Sequence, residues 1–169
     1  ELTESLKGLP TRTTQFGRFD KGLAYTILMK YYMHEKNWAK AEECGRELLK
    51  AEYGYGLMDR YADIFTLENE GNKEIIFACT EERGTNLQLW HDHALPGNYP
   101  TKNASIQKWD GYKVPWPFYR TFEEGDDRLS VLVGEYVGTD GVLFNEESDI
   151  AKHGNLYSGA VPVKYGEDP

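Results

Sequence analysis

The chain has 169 residues, the length of one ordinary domain, and can bury roughly 70% of the surface its unfolded form exposes, so it needs no staples. Its 19 basic and 28 acidic residues leave a net charge of −9, which argues against general nucleic-acid binding, where phosphates must be neutralised. Mean hydropathy is −0.66, no apolar run approaches the roughly 18 residues of a membrane span, and two cysteines make no disulfide scaffold.

Residues 1–10 carry neither the basic nor the apolar region of a signal peptide. Residues 2–19 read as loop, and so do residues 160–169, with Pro162, Gly166 and Pro169. A chain that opens and closes on loop text reads as a piece of something larger. From Gly22 to Leu49 the apolar residues recur at helical spacing: Leu23 and Ile27, then Ala24, Leu28 and Tyr31. Asp20 is the expected N-cap. A break at residues 34–37 lets Asn37 cap a second helix, with apolar Trp38, Ala41, Cys44, Leu48 and Leu49 and a stop at Gly54. Two helices joined so briefly predict an antiparallel hairpin. Tyr32, Trp38, Ala41 and Leu48 sit where tetratricopeptide-type repeats place their packing residues. Tyr31, Tyr32 and Trp38 are therefore expected as core wedges, and Cys44 and Cys79 as small buried hydrophobes.

Residues 61–65 predict a short helical turn and residues 68–72 a loop turn. Residues 74–80 (Glu-Ile-Ile-Phe-Ala-Cys-Thr) predict a strand. Residues 84–122 change character. They hold Trp90, Trp109 and Trp116, four of the seven prolines, and Tyr99, Tyr112 and Tyr119. Lys102, Lys108, Lys113 and Arg120 against Asp92 and Asp110 make the segment +2, so the remainder is −11. It lacks either periodicity, and such a segment is commonly functional or wrapped on a scaffold. A short helix is expected at residues 118–122, a strand at 129–137, a turn at 138–141 and a hairpin partner at 142–144.

Several constellations carry chemistry in principle. His91-Asp92-His93 could approach one ion if extended, but a third ligand is not evident and a polar loop is the better reading. Glu123, Glu124, Asp126 and Asp127 could supply the paired carboxylates of glycoside hydrolysis. Four acids in one exposed turn read more simply as solvated, with Asp127 beside Arg128 as an ion pair or cap. No nucleotide or nucleophile-elbow fingerprint is present, and no cofactor or metal is expected. Asn103-Ala104-Ser105 fits a glycosylation sequon. The aromatic segment is the main candidate. Sugar rings present flat C–H faces that indole and phenol rings can cover, and hydroxyl edges that polar side chains can bond. The expected ligand residues are Trp90, Asn98, Tyr99, Trp109, Tyr112 and Trp116, with Asp110, Lys108 and Lys113 nearby. The alternative is that Trp109, Tyr112 and Trp116 pin a long loop to the helices.

An ordered set of short landmarks resembles the SusD/RagB-type nutrient-binding lipoproteins. It runs Leu9-Pro10, Gly17-Arg18, Lys21-Gly22 with Ala24, Trp38-Ala39-Lys40-Ala41-Glu42, and residues 61–65. Asn69, Asn72, Glu74-Ile75-Ile76-Phe77, Phe122 with Asp127-Arg128, and Lys164-Tyr165 follow. The resemblance implies a mainly α fold, built on an α/α tetratricopeptide-like helical hairpin with short strands and long irregular loops. It implies a central fragment of a protein about three times longer than this chain, beyond the usual size of one domain. Residues 18–83 would form the hairpin and a short strand, 84–122 the aromatic-rich loop segment, and 123–169 a hairpin and loops. It further implies a non-catalytic protein on the outer face of the outer membrane, held by a lipid anchor that this chain lacks. Such a protein binds oligosaccharides and hands them to a SusC-like TonB-dependent transporter. Individual binding residues do not carry over from the resemblance, so the six named above rest on chemistry alone. The alternatives are a helical-repeat scaffold whose aromatic segment binds a protein partner, and a glycoside hydrolase.

Overall fold

The structure, a computed structural model, describes residues 1–81 and 89–165. Residues 84–88 of the aromatic-rich segment and 166–169 of the expected terminal loop lie outside them. The described chain forms two compact units, one of residues 1–58 with 71–81, the other of residues 59–70 with 89–165.

The first unit is built on the hairpin that periodicity predicts. A single turn, α1 (Leu2–Ser5), precedes α2 (Lys21–His34) and α3 (Trp38–Leu48). Asp20 caps α2, its Oδ1 accepting from the Leu23 N–H at 3.0 Å and its Oδ2 from the Thr13 N–H at 3.1 Å. These two amides satisfy a carboxylate that is only 3% exposed. Lys36, at φ 57°, turns the chain, and the Asn37 side chain then accepts from the Lys40 N–H to start α3. The buried residues are small or slender: Gly22, Ala24 and Leu28 on α2, Ala41, Cys44 and Leu48 on α3. The longer rings lie elsewhere. Tyr31 and Trp38 are exposed (55% and 63%), and Tyr32 is half-buried with the Lys40 ammonium over its ring. The expected aromatic wedges are thus corrected.

The aromatic that does fill this unit is Tyr53, 1% exposed, in a 3₁₀ turn (Ala51–Tyr53) closed by Gly54 at φ 64°. Gly54 therefore stops this turn, while α3 has already ended at Leu48. Tyr53 stacks on Tyr55 and meets the edge of Tyr25. Arg12 donates to the Tyr53 and Gly54 carbonyls and lies over Tyr55. Residues 74–80 do not form the expected strand. They are tied by single contacts instead: the Glu74 carboxylate accepts from the Met58 N–H, and Phe77 packs on Phe19. A strand needs a partner ladder as well as a β-branched run. Cys79, expected to be buried there, is exposed.

The second unit mixes short elements. Two 3₁₀ turns (Ala62–Phe65 and Leu67–Asn69) bear out the expected turn at 61–65. Then come α4 (Trp90–Ala94), β1 (Val114–Pro115) and α5 (Trp116–Tyr119), followed by a 3₁₀ turn (Asp127–Val131) and β2 (Leu132–Val133). β3 (Glu135–Val137), β4 (Leu143–Asn145), α6 (Glu146–Ile150) and β5 (Gly159–Pro162) complete it. β5 is the centre of an antiparallel sheet ordered β1-β5-β2, with Val114 opposite Ala160 and Val133 opposite Val161. All four of its residues are buried. Its place in the expected terminal loop is corrected by this pairing. β3 and β4 form the expected hairpin, with Tyr136 opposite Phe144. The predicted single strand at 129–137 is instead a turn and two strands in different sheets. It divides at Gly134, where a Cβ would lie 3.0 Å from the Tyr119 hydroxyl.

The core of this unit joins Ala94, Leu95, Trp116, Tyr136, Leu156, Ala160 and Val161. The fold class is corrected accordingly. The structure is 37% helical and 9% strand, with mixed small sheets, and is not a mainly α tetratricopeptide-like array. Among the described residues only α2 and α3, with 14 and 11 residues, are long helices. Most of the second unit is held by pairing and ring packing between residues far apart in the chain.

Candidate functional site

The site starts from a short helix and the segment that returns along it. The last carbonyls of a helix have no partners within it. In α4 they are taken by residues 109–112. The Trp109 N–H donates to the Asp92 carbonyl at 2.6 Å and the Asp110 N–H to Leu95 at 3.1 Å. Both the Gly111 and Tyr112 N–H groups reach the His93 carbonyl, at 2.6 and 2.8 Å. Asp110 takes a left-handed conformation (φ 55°), and a Cβ on Gly111 would already lie 3.1 Å from the His93 oxygen. The Asp92 side chain adds a further tie, its Oδ1 accepting from the Gln107 N–H at 2.8 Å.

This lacing arrays aromatic rings in a row. Trp109 meets the His93 ring edge-on at 4.8 Å between centroids, His93 lies 5.3 Å from Tyr112, and Tyr112 lies 5.3 Å from Trp90. Trp90 continues to Tyr165, and Tyr165 to Phe65. The row is fixed to the sheet at Trp90, whose indole donates to the Pro162 carbonyl at 3.1 Å. Its Trp109 end is open: Trp109 and Tyr112 are 51% and 46% exposed. Beside Trp109 lies a groove of about 420 Å³ whose polar lining comes from Asp92, Asn103, Ser105 and Gln107, with Leu89 and Ile106 as apolar neighbours.

The six expected ligand residues therefore divide. Trp109 lines the groove and Tyr112 flanks it through His93. Trp90 is partly buried behind them. Asn98 belongs to a hydrogen-bond network, its Oδ1 accepting from the Tyr136 hydroxyl at 2.9 Å and from the Asn155 amide at 2.7 Å. Tyr99 packs on Tyr136 at 5.0 Å, and its carbonyl accepts from Lys108 at 2.6 Å. Trp116 is a core residue, 6% exposed, with its indole N–H donated to the Leu156 carbonyl. Both faces of the loop-pinning alternative are visible here: Trp116 pins, while Trp109 is presented.

Sequence reasoning missed Asp92, Asn103, Ser105 and Gln107 as groove residues. The sequence reads His91-Asp92-His93 as a polar loop, but residues 90–94 are helical, which sets His91 and His93 on different faces. Among the described residues no group of three His, Cys, Asp or Glu side chains is placed to hold a metal ion. A hint lay in the polar run at 101–107, whose Asn103 Oδ1 accepts from the Ser105 N–H at 2.9 Å in a local turn.

A larger depression, about 660 Å³, opens against Trp116 and Tyr119, with Glu135, Glu146 and Glu147 on its wall. Its polar groups are largely committed to the fold. Glu146 accepts from Arg120 at 2.6 and 2.9 Å, and Glu135 accepts from the Asn145 amide. The acidic turn is committed too. Asp126 caps its 3₁₀ turn and pairs with Arg128, whose guanidinium holds its carboxyl down at about 2. The Asp127 carboxylate accepts from the Tyr61 N–H. The groove beside Trp109 is the better candidate, because its ring and its polar edges face one open volume. No family model, no curated protein and no solved structure matches the chain.

Proposed function

We propose that the chain is a non-catalytic glycan-binding module in which Trp109 is the stacking platform. The observation that carries this is a half-exposed indole on the wall of a groove lined by Asp92, Asn103, Ser105 and Gln107. An indole face covers the C–H face of a pyranose, and carboxylate, amide and hydroxyl groups bond its edge. A protein partner would call for a drier, more apolar centre, and the groove's polar lining favours sugar over that reading.

The acidic turn supplies no general acid at Asp126. A general acid needs its pKa raised towards neutrality, whereas Asp126 is pulled down by Arg128. The cellular setting of this proposal rests on the sequence landmarks. It is that of a SusD/RagB-type lipoprotein on the outer face of the outer membrane, delivering oligosaccharide to a SusC-like TonB-dependent transporter.

The test is affinity electrophoresis and calorimetry on a panel of neutral and acidic polysaccharides. Trp109→Ala should weaken binding about 10-fold, the scale of one aromatic stacking contact on a flat ligand. Wild-type protein that binds no member of the panel sinks the proposal.

A further inference from the structure

We propose that the groove beside Trp109 discriminates for neutral sugars and against anionic ones, with Asp92 as the specificity-determining residue; this rests on the glycan reading above. Among the described residues that line the groove, Asp92 carries the only formal charge. A carboxylate accepts and cannot donate. Its Oδ1 is oriented by the Gln107 N–H at 2.8 Å. No described residue bonds its Oδ2, which is left to accept from a sugar hydroxyl. Two neighbouring hydroxyls on one ring edge can donate to such a carboxylate as charge-assisted bonds. A uronate or a sulfated sugar brings a second negative charge to the same wall, and like charges at that range repel.

The basic excess of residues 84–122 does not offset this. Lys108 turns its ammonium to the Tyr99 carbonyl at 2.6 Å, Lys113 pairs with Asp110, and Arg120 pairs with Glu146. Lys102 is exposed next to Asn103 but does not line the groove. The −9 net charge disfavours anions everywhere on the chain, so the specific contribution of Asp92 must be read from a variant.

The experiment is calorimetric titration of the chain at pH 8 with matched pairs that differ in the C6 carboxylate. Oligogalactose is set against oligogalacturonate, and oligomannose against oligomannuronate. Wild type should bind the neutral member of a recognised pair about 10-fold or more tightly. Its affinity for the anionic member should rise as salt goes from about 20 to about 200 mM, because screening weakens repulsion. Asp92→Asn keeps an Oδ1 for Gln107 and should bring the neutral-to-anionic ratio near about 1 to 3, with an unchanged melting curve. A wild-type ratio near unity, or an unchanged ratio in the variant, overturns the selectivity while leaving the glycan reading in place. Wild type that binds neither member of any pair overturns both. Should Asp92→Asn fail to fold, Asp92→Ser, which also removes the charge, is read for the same ratio, and an unchanged ratio there likewise overturns the selectivity.

Discussion

The indole of Trp116 donates to the main-chain carbonyl of Leu156 at 2.8 Å, across 40 residues of sequence. Leu156 is fully buried, and its own N–H is taken by the Asp149 carboxylate at 2.9 Å. One tryptophan thus secures the chain that leads into β5, the central strand.

Trp116→Phe should therefore cost about 1–3 kcal/mol, because it leaves a buried carbonyl unpaired while keeping most of the ring. Trp116→Ala should cost about 3–5 kcal/mol by adding a cavity. Trp109→Ala, at a half-exposed ring, should cost less than about 1 kcal/mol. Urea unfolding of the three variants checks the order. Equal losses at both tryptophans would contradict the division between core and ledge.

Gly159 sits where β1 and β5 approach. A Cβ there would overlap the Val114 carbonyl oxygen and lie 2.6 Å from its carbon and 3.0 Å from the Pro115 Cα. These are backbone atoms and cannot swing aside. Gly159→Ala should destabilise by about 1–3 kcal/mol or more, as overpacking does. Thermal melts would show this as a lowered Tm. In contrast, Gly141→Asn, in an open turn at φ 78° with nothing near its Cβ, should lower the Tm less than Gly159→Ala, because its cost is left-handed backbone strain alone.

Tyr136 ionises late. Burial pushes its hydroxyl up to about 12, aided by Asp110, Asp149 and Asp140, against the opposing hydrogen bond from Asn155. An ordinary tyrosine titrates near about 10. Between those values the unfolded chain has released a proton that the folded chain still holds, so stability falls as pH rises. The contribution is fully present below about pH 10 and is lost through about pH 12. Burial also raises Tyr53 and Tyr25, so the wild-type decline has several sources. Tyr136→Phe should be less stable at neutral pH, having lost its bond to Asn98, yet show a shallower alkaline decline. Urea midpoints measured from pH 9 to pH 11.5 test the slope, and identical slopes would refute the assignment.

The helical hairpin was legible because its causes are local. Asp20 and Asn37 are caps whose side chains bond an amide three residues on. Ala24 and Leu28 of α2, and Ala41, Cys44 and Leu48 of α3, recur at the spacings of three and four that place them on one face. The β3–β4 hairpin was legible for a similar reason, since Gly138 and Gly141 bracket a turn between two short runs that hold apolar and β-branched residues. The capping box of α6, in which Asn145 and Ser148 bond each other's backbone N–H, was equally local but passed unread in text dominated by acids.

Other elements could not be read from local text. β5 has a short Gly-Ala-Val-Pro sequence with no alternation, because both its faces and both its edges are covered. Residues 74–80 have a better strand composition and form none. At the site, composition alone drew attention to the aromatic segment, but it ranked Trp109 and Trp116 alike. Their exposures, 51% and 6%, follow from what returns along α4 and what packs on β5.

The sequence by itself determined the caps, the two helices they start, the absence of a long apolar run and the concentration of aromatic residues in one segment. Each is set by neighbours within a few residues. Tertiary structure decided that the fold is a mixed one, that Trp116 is core, and that Trp109 faces a groove beside Asp92. Strand pairing and ring burial join residues tens of positions apart, and the contact energy that fixes them exists only once the chain has brought those residues together.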